Sequence, residues 1–142
     1  MPQRECKVPG CIRPVRAREV CSTHHQRARM ARRRQGLPLM VPAIGVTRRV
    51  RALVAVGWSL SDIQNTTGLS NGRLSEIASG RPVQVSIRTA QAVHRMFDEH
   101  KYTPRPGKKG DRARAFATAR GWVTVLAWDD IDTDPEPETV AA

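Results

Sequence analysis

Apolar residues recur at helical spacing through the middle of the chain. Val46, Val50, Leu53 and Val54 fall at i, i+4, i+7 and i+8, one stripe on a helix that ends at Gly57. Ser59-x-x-Asp62 is a capping-box variant that opens a short helix with Leu60 and Ile63 inward. Thr66-Thr67-Gly68-Leu69-Ser70 reads as a turn, with Gly68 free to take positive φ. Ser70 caps another short helix whose Leu74, Ile77 and Ala78 face the core, and Gly80 and Pro82 stop it. Ser86 begins a last core helix with Ala90, Val93, Met96 and Phe97 inward.

The segments around this core have different patterns. Residues 37–45 hold two prolines and a glycine and read as a linker. Residues 101–110, with Thr-Pro-Arg-Pro-Gly-Lys-Lys-Gly over 103–110, read as a second linker, basic and extended. A helical pattern resumes over 111–120, with Phe116 among small alanines, and Gly121 ends it. Trp122, Leu126 and Trp128 then predict cover for an exposed edge of the core, with a partner-binding strip as the alternative. Residues 129–142 are acidic and contain proline, the composition of a disordered tail. The expected order is a module over 1–36, a linker over 37–45, a helical domain over 46–100, a basic linker over 101–110, a helix and Trp segment over 111–128, and a tail over 129–142. The fold class is mainly α.

Charge narrows the choice of partner. The 142 residues carry 24 basic and 13 acidic side chains, a net +11, and all charge of the last 14 residues is negative. A surface that basic repels itself unless it meets a polyanion, which makes nucleic acid the first candidate. No run of 18 apolar residues predicts a transmembrane helix, and no apolar h-region predicts secretion, so the expected place is the cytoplasm. The basic 23–34 stretch lacks the large apolar face of a membrane-surface helix. Three Trp, two Phe and one Tyr are too few for a sheet that stacks single-stranded bases.

Cys6, Cys11, Cys21 and His24 give C-x4-C-x9-C-x2-H. Zinc takes four N or S ligands in a tetrahedron. The Pro9-Gly10 turn can fold two thiolates around one ion, and Cys21 and His24 stand at a helix start with Ser22 as expected N-cap. So short a module buries little apolar surface, and a structural Zn2+ would supply the missing folding energy. The alternatives are unrelated thiols, or a disulfide with one spare; an odd cysteine count argues against the second. His25 is the rival fourth ligand. A helix from Thr23 to Gln35 follows, with Gly36 at C′ and Arg27, Arg29, Arg32, Arg33 and Arg34 uninterrupted by acid. It reads as a phosphate-binding face, against the alternative of a merely solvated one.

Cys6-Lys7-Val8-Pro9-Gly10-Cys11, Arg13-Pro14-Val15, Cys21, His24 and Arg27 resemble a short zinc-binding motif of phage proteins, some of which carry HNH nuclease domains. In that motif a Tyr usually follows the last ligand; here it is His25. Leu60, Ile63, Gly68, Leu69, Leu74 and Ile77 fall where the helix-turn-helix of lambda-repressor-like DNA-binding domains packs. That motif usually has a small residue where this chain has Gln64, which must tilt outward or hydrogen-bond across the helix pair. With Gly121-Trp122 and Trp128-Asp129-Asp130-Ile131-Asp132, the chain is similar to helix-turn-helix proteins encoded by phages of actinobacteria. The resemblance implies a phage-encoded DNA-binding regulator working in the host cytoplasm.

In such a domain the helix over 70–79 enters the major groove. With Leu74, Ile77 and Ala78 inward, Gly72 and Glu76 point outward, flanked by Asn71, Arg73 and Ser75. Arg73 matches guanine O6/N7, Asn71 adenine N6/N7, and Glu76 cytosine N4. Ser70 with the helix N-terminus, and Arg81, are expected on phosphates, as are Arg48 and Arg49 of the first core helix. Catalysis is not expected: His94 and His100 lack an HNH constellation, and no Gly-rich phosphate loop with Lys is present. Two rival readings remain. One is an interaction factor that binds a host protein through residues 122–138; deleting the tail would then abolish its effect while DNA binding survives. The other is a sequence-neutral architectural or RNA-binding protein. The oligomeric state is open: no heptad stretch supports a coiled-coil dimer, and the DNA-binding domain is compatible with a homodimer through another surface.

Overall fold

Three serines set helix starts in the same way. Ser59, Ser70 and Ser86 stand in extended backbone, and each hydroxyl accepts the N–H three residues on, from Asp62, Arg73 and Thr89. Asp62 returns the bond to the Ser59 N–H and completes the capping box. The structure is a computed structural model and describes residues 4–36 and 38–137. It is mainly helical: α1 (Ser22–Arg34), β1 (Met40–Pro42), α2 (Ile44–Val56), α3 (Leu60–Thr67), α4 (Asn71–Ser79), β2 (Gln84–Ser86), α5 (Ile87–His100) and α6 (Gly107–Ala119), then a 3-10 turn over Val125–Ala127. The chain divides into two compact units, Met1–Leu39 and Met40–Ala142. No helix among the described residues is long and apolar enough to cross a membrane.

In the second unit α2 lies against α4, α5 and α6. Val50, Leu53, Ile63, Leu74, Ile77, Val85 and Val93 have no exposed surface. Each contributes about 1.5–3 kcal/mol relative to an exposed position. The expected inward faces of α2, α3, α4 and α5 are those that are buried. Gln64 tilts outward into solvent, and its carbonyl accepts the Gly68 N–H at 2.8 Å. Gly68, at φ 77°, closes α3 in the left-handed region that a side chain there would strain.

Four segments differ from the sequence expectation. Residues 40–42, read as linker, form β1, antiparallel to β2 with Met40 opposite Ser86 and Val41 opposite Val85. Pro42 is tolerated because a two-stranded sheet consists of edges. Residues 107–110, also read as linker, are the first turn of α6. Gly110 permits that turn, because a Cβ there would collide with the Arg105 carbonyl. Leu126 does not cover the core; it is 81% exposed, while Val125, Trp122 and Trp128 pack inward.

The fourth is the tail. Residues 129–137 are folded, not disordered. Ile131 is buried in the core cluster. Asp132 takes both ends of the Arg49 fork, at 2.6 and 3.0 Å. Arg48 donates to the Ile131 carbonyl at 3.1 Å and lies 4.2 Å from the centre of the Trp128 ring. Asp134 accepts the N–H groups of Asp129 and Asp130, both at 2.8 Å. Asp130, Asp132 and Asp134 are thus engaged by an arginine or by local amides, which offsets part of the mutual repulsion that composition alone predicts. Residues 138–142 lie outside the described residues.

Two glycines distinguish flexible from rigid neighbours. A Cβ at Gly45 would meet the Asp132 carboxylate, a side-chain end that can move at the cost of an exposed ion pair worth about 1 kcal/mol or less. Helix propensity returns about the same amount. At Gly110 the obstacle is backbone. Gly110→Ala is therefore expected to destabilise by about 1–3 kcal/mol, and Gly45→Ala to be near neutral, in urea denaturation. The reverse order would contradict this packing.

Candidate metal centre and nucleic-acid interface

The first unit is built from turns. The Cys6 N–H donates to the Arg13 carbonyl at 3.0 Å and the Cys11 N–H to that of Val8 at 3.0 Å, with Gly10 at φ 81° inside the loop. α1 starts directly at this site: its N-cap is Cys21, without a side-chain cap, and Ser22 is its first residue rather than its cap. A helix beginning there points backbone N–H groups at the Cys21 sulfur.

Cys6, Cys11, Cys21 and His24 meet, with their ligand atoms all within 4.8 Å of one another. The His24 Nδ1 lies 3.3 Å from both the Cys6 and the Cys21 sulfurs, and the Cys11 and Cys21 sulfurs are 3.9 Å apart. Two thiolates on one tetrahedral ion with metal–sulfur bonds of about 2.3 Å would be separated by about 3.8 Å. This Cys3His cluster could hold a metal ion and is compatible with zinc. His24, not His25, completes it. The His24 backbone N–H lowers the Cys21 pKa. At Cys11 the Arg13 backbone N–H favours the thiolate, but burial and the Cys6 and Cys21 sulfurs outweigh it and raise the pKa. A cation among the sulfurs would relieve that competition.

α1 buries none of its residues. Arg27, Arg29, Arg33 and Arg34 are exposed, without an acidic partner among the described residues. Arg32 is half-buried and donates to the Pro38 carbonyl at 2.9 Å. Gln35 is the C-cap and Gly36, at φ 67°, follows at C′. Arg32, Arg33 and Arg34 in the last turn complement the helix dipole.

In the second unit α3, a short turn and α4 follow one another. Leu74, Ile77 and Ala78 are buried, whereas Asn71, Gly72, Ser75 and Glu76 are exposed and Arg73 is half-exposed. Arg73 Nη1 donates to Glu76 at 3.2 Å. Its Nε and Nη2, the other edge of the fork, have no partner among the described residues. The Ser70 hydroxyl accepts the Arg73 N–H as the α4 cap, and its own O–H has no acceptor among the described residues. Arg81 is exposed just beyond the helix. Arg51, which the sequence analysis did not single out, donates from Nε to the Ala78 carbonyl at 2.8 Å and closes the other end of α4. No local pattern marks it, since its partner lies 27 residues away.

Arg48 and Arg49 are not where the phosphate reading needs them. Arg48 is 4% exposed beneath Trp128 and Ile131, and Arg49 is held by Asp132. His94 faces the same pair; burial and Arg49 lower its pKa, against the opposing pull of Asp132 and Asp98. Lys109, read as part of a linker, lies on α6 with Arg112, and both are exposed. No family model matches the chain, and no curated protein or solved structure matches it either.

Proposed function

We propose that the chain is a zinc-containing, sequence-specific duplex-DNA-binding protein, a transcriptional regulator that reads the major groove with α4 as the second helix of a helix-turn-helix. The observation that carries this reading is the exposed face of α4. A nine-residue helix, capped at Ser70 and following the Gly68 turn, turns Asn71, Gly72, Arg73, Ser75 and Glu76 outward on a chain of net charge +11. The free edge of Arg73 suits guanine O6/N7, and Glu76 orients it from the side. Gly72, where an added Cβ would meet nothing within 4 Å, allows close backbone approach. Zinc is the ion that suits three thiolates and one imidazole. It fixes α1, whose exposed arginines add phosphate contacts.

Selection from random duplex DNA tests the role of each residue. The wild-type chain is expected to enrich a motif. Arg73→Ala should cost about 1–3 kcal/mol on that motif and relax preference at one base pair. Arg81→Ala should weaken all sequences alike and reduce the salt slope by about 1. A motif unchanged by Arg73→Ala would remove α4 from base reading.

A further inference from the structure

α6 carries a stripe that the core does not use. Gly110, Ala113 and Ala117 are its buried face. Lys109, Arg112 and Phe116, at i, i+3 and i+7, form the neighbouring face and line one wall of a groove of about 430 Å³. The facing wall holds Asp62 and Asn65 of α3 and Asn71, the first residue of α4. These polar groups are not equally available. Asp62 is engaged by Arg105 at 2.9 Å and by the Ser59 N–H at 3.0 Å. Arg114, on another face of α6, is tied to the Val56 and Arg105 carbonyls and to Asp111. Lys109 and Arg112 have no acidic partner among the described residues, and the Asn65 and Asn71 side chains make no hydrogen bond there. α4 also has no acid in its first turn, so its positive end is uncompensated.

We infer that this groove is a phosphate-binding site for the backbone of duplex DNA, with Lys109 and Arg112 as its cations. The inference rests on the reading of α4 as the base-reading helix. A strand passing the start of α4 while that helix lies in the groove would bring its phosphates to the mouth of this cleft. The Asn65 side chain and the first α4 amides donate from one side, and the two cations attract from the other. Contacts of this kind carry no base information. They set register and supply salt-dependent affinity, at a slope of about 0.9 per phosphate neutralised.

The test is the salt dependence of binding to a duplex selected by the wild-type chain. Lys109→Gln with Arg112→Gln is expected to lower the slope of log K against log[salt] by about 2, with the selected motif unchanged. Each single change should give about half of that. Arg95→Gln, which removes an exposed cation from α5, should leave the slope as it was. All the altered side chains are exposed, and thermal unfolding should match wild type. A double variant that keeps the wild-type slope and motif would overturn the groove while leaving α4 as the reading helix. A wild-type chain that selects no motif would overturn the reading beneath it.

Discussion

Stripping the metal from the first unit is expected to unfold it and to leave the second unit intact. Cys6 and Cys21 are the only buried residues among those described in the first unit, and α1 buries none. A 13-residue helix with no buried face is marginal in water. The turns before it carry backbone hydrogen bonds but, among the described residues, bury no side chain besides the two cysteines. On the reading proposed above, an ion held by the Cys3His cluster would supply the folding energy; structural zinc in small peptides contributes about 10–16 kcal/mol at neutral pH. The core cluster of the second unit runs from Ala43 to Ile131. Amide hydrogen exchange before and after a chelator reads both at once. Protection in α1 should vanish and protection in α2 to α5 should persist. Cys21→Ser should reproduce the loss. Protected α1 amides in metal-free protein would show that the fold does not depend on the ion.

Ending the chain after Ala127 is expected to produce the largest loss in the helical unit. Ile131 leaves the core, where a buried side chain of its size contributes about 1.5–3 kcal/mol, and Trp128, partly buried against the core, is uncovered with it. The Arg49–Asp132 pair goes with them, a small addition because Asp132 is half-exposed. A loss of about 3 kcal/mol lowers Tm by roughly 12–24 °C for a domain of about 100 residues. A truncated chain that melts within about 2 °C of the full one would contradict the docked tail. Acid should weaken the same contact. The Arg49 hydrogen bond lowers the Asp132 pKa, so its contribution is present above the unfolded carboxylate pKa and is lost as pH falls through the folded one. Deleting the tail thus perturbs stability, and a loss of effect on deletion would not by itself identify a partner-binding surface.

Local patterns were legible and distant ones were not. The Val46, Val50, Leu53 and Val54 stripe, the Ser59–Asp62 box and the inward face of α4 follow from spacing within a few residues, and all stand where spacing puts them. The four residues that could hold a metal were legible because zinc chemistry constrains residue type and interval together. The tail was misread because Ile131 is a lone apolar residue among acids. The arginines that hold the segment are 83 residues away, beyond any periodicity. Arg48 and Arg49 look like surface cations for the same reason. Gly107 and Gly110 suggest a linker by propensity, yet Gly110 is what the contact with the Arg105 carbonyl requires. Lys109 was hidden with them.

The central claim is that α4 reads bases. Its most direct test is a titration of the zinc-loaded chain with its selected duplex and with a scrambled duplex of equal length, at two salt concentrations. A preference of at least about 10³ for the selected sequence is expected, retained as salt rises while both affinities fall. Equal affinity for the two duplexes would contradict it and leave a sequence-neutral, charge-driven binder.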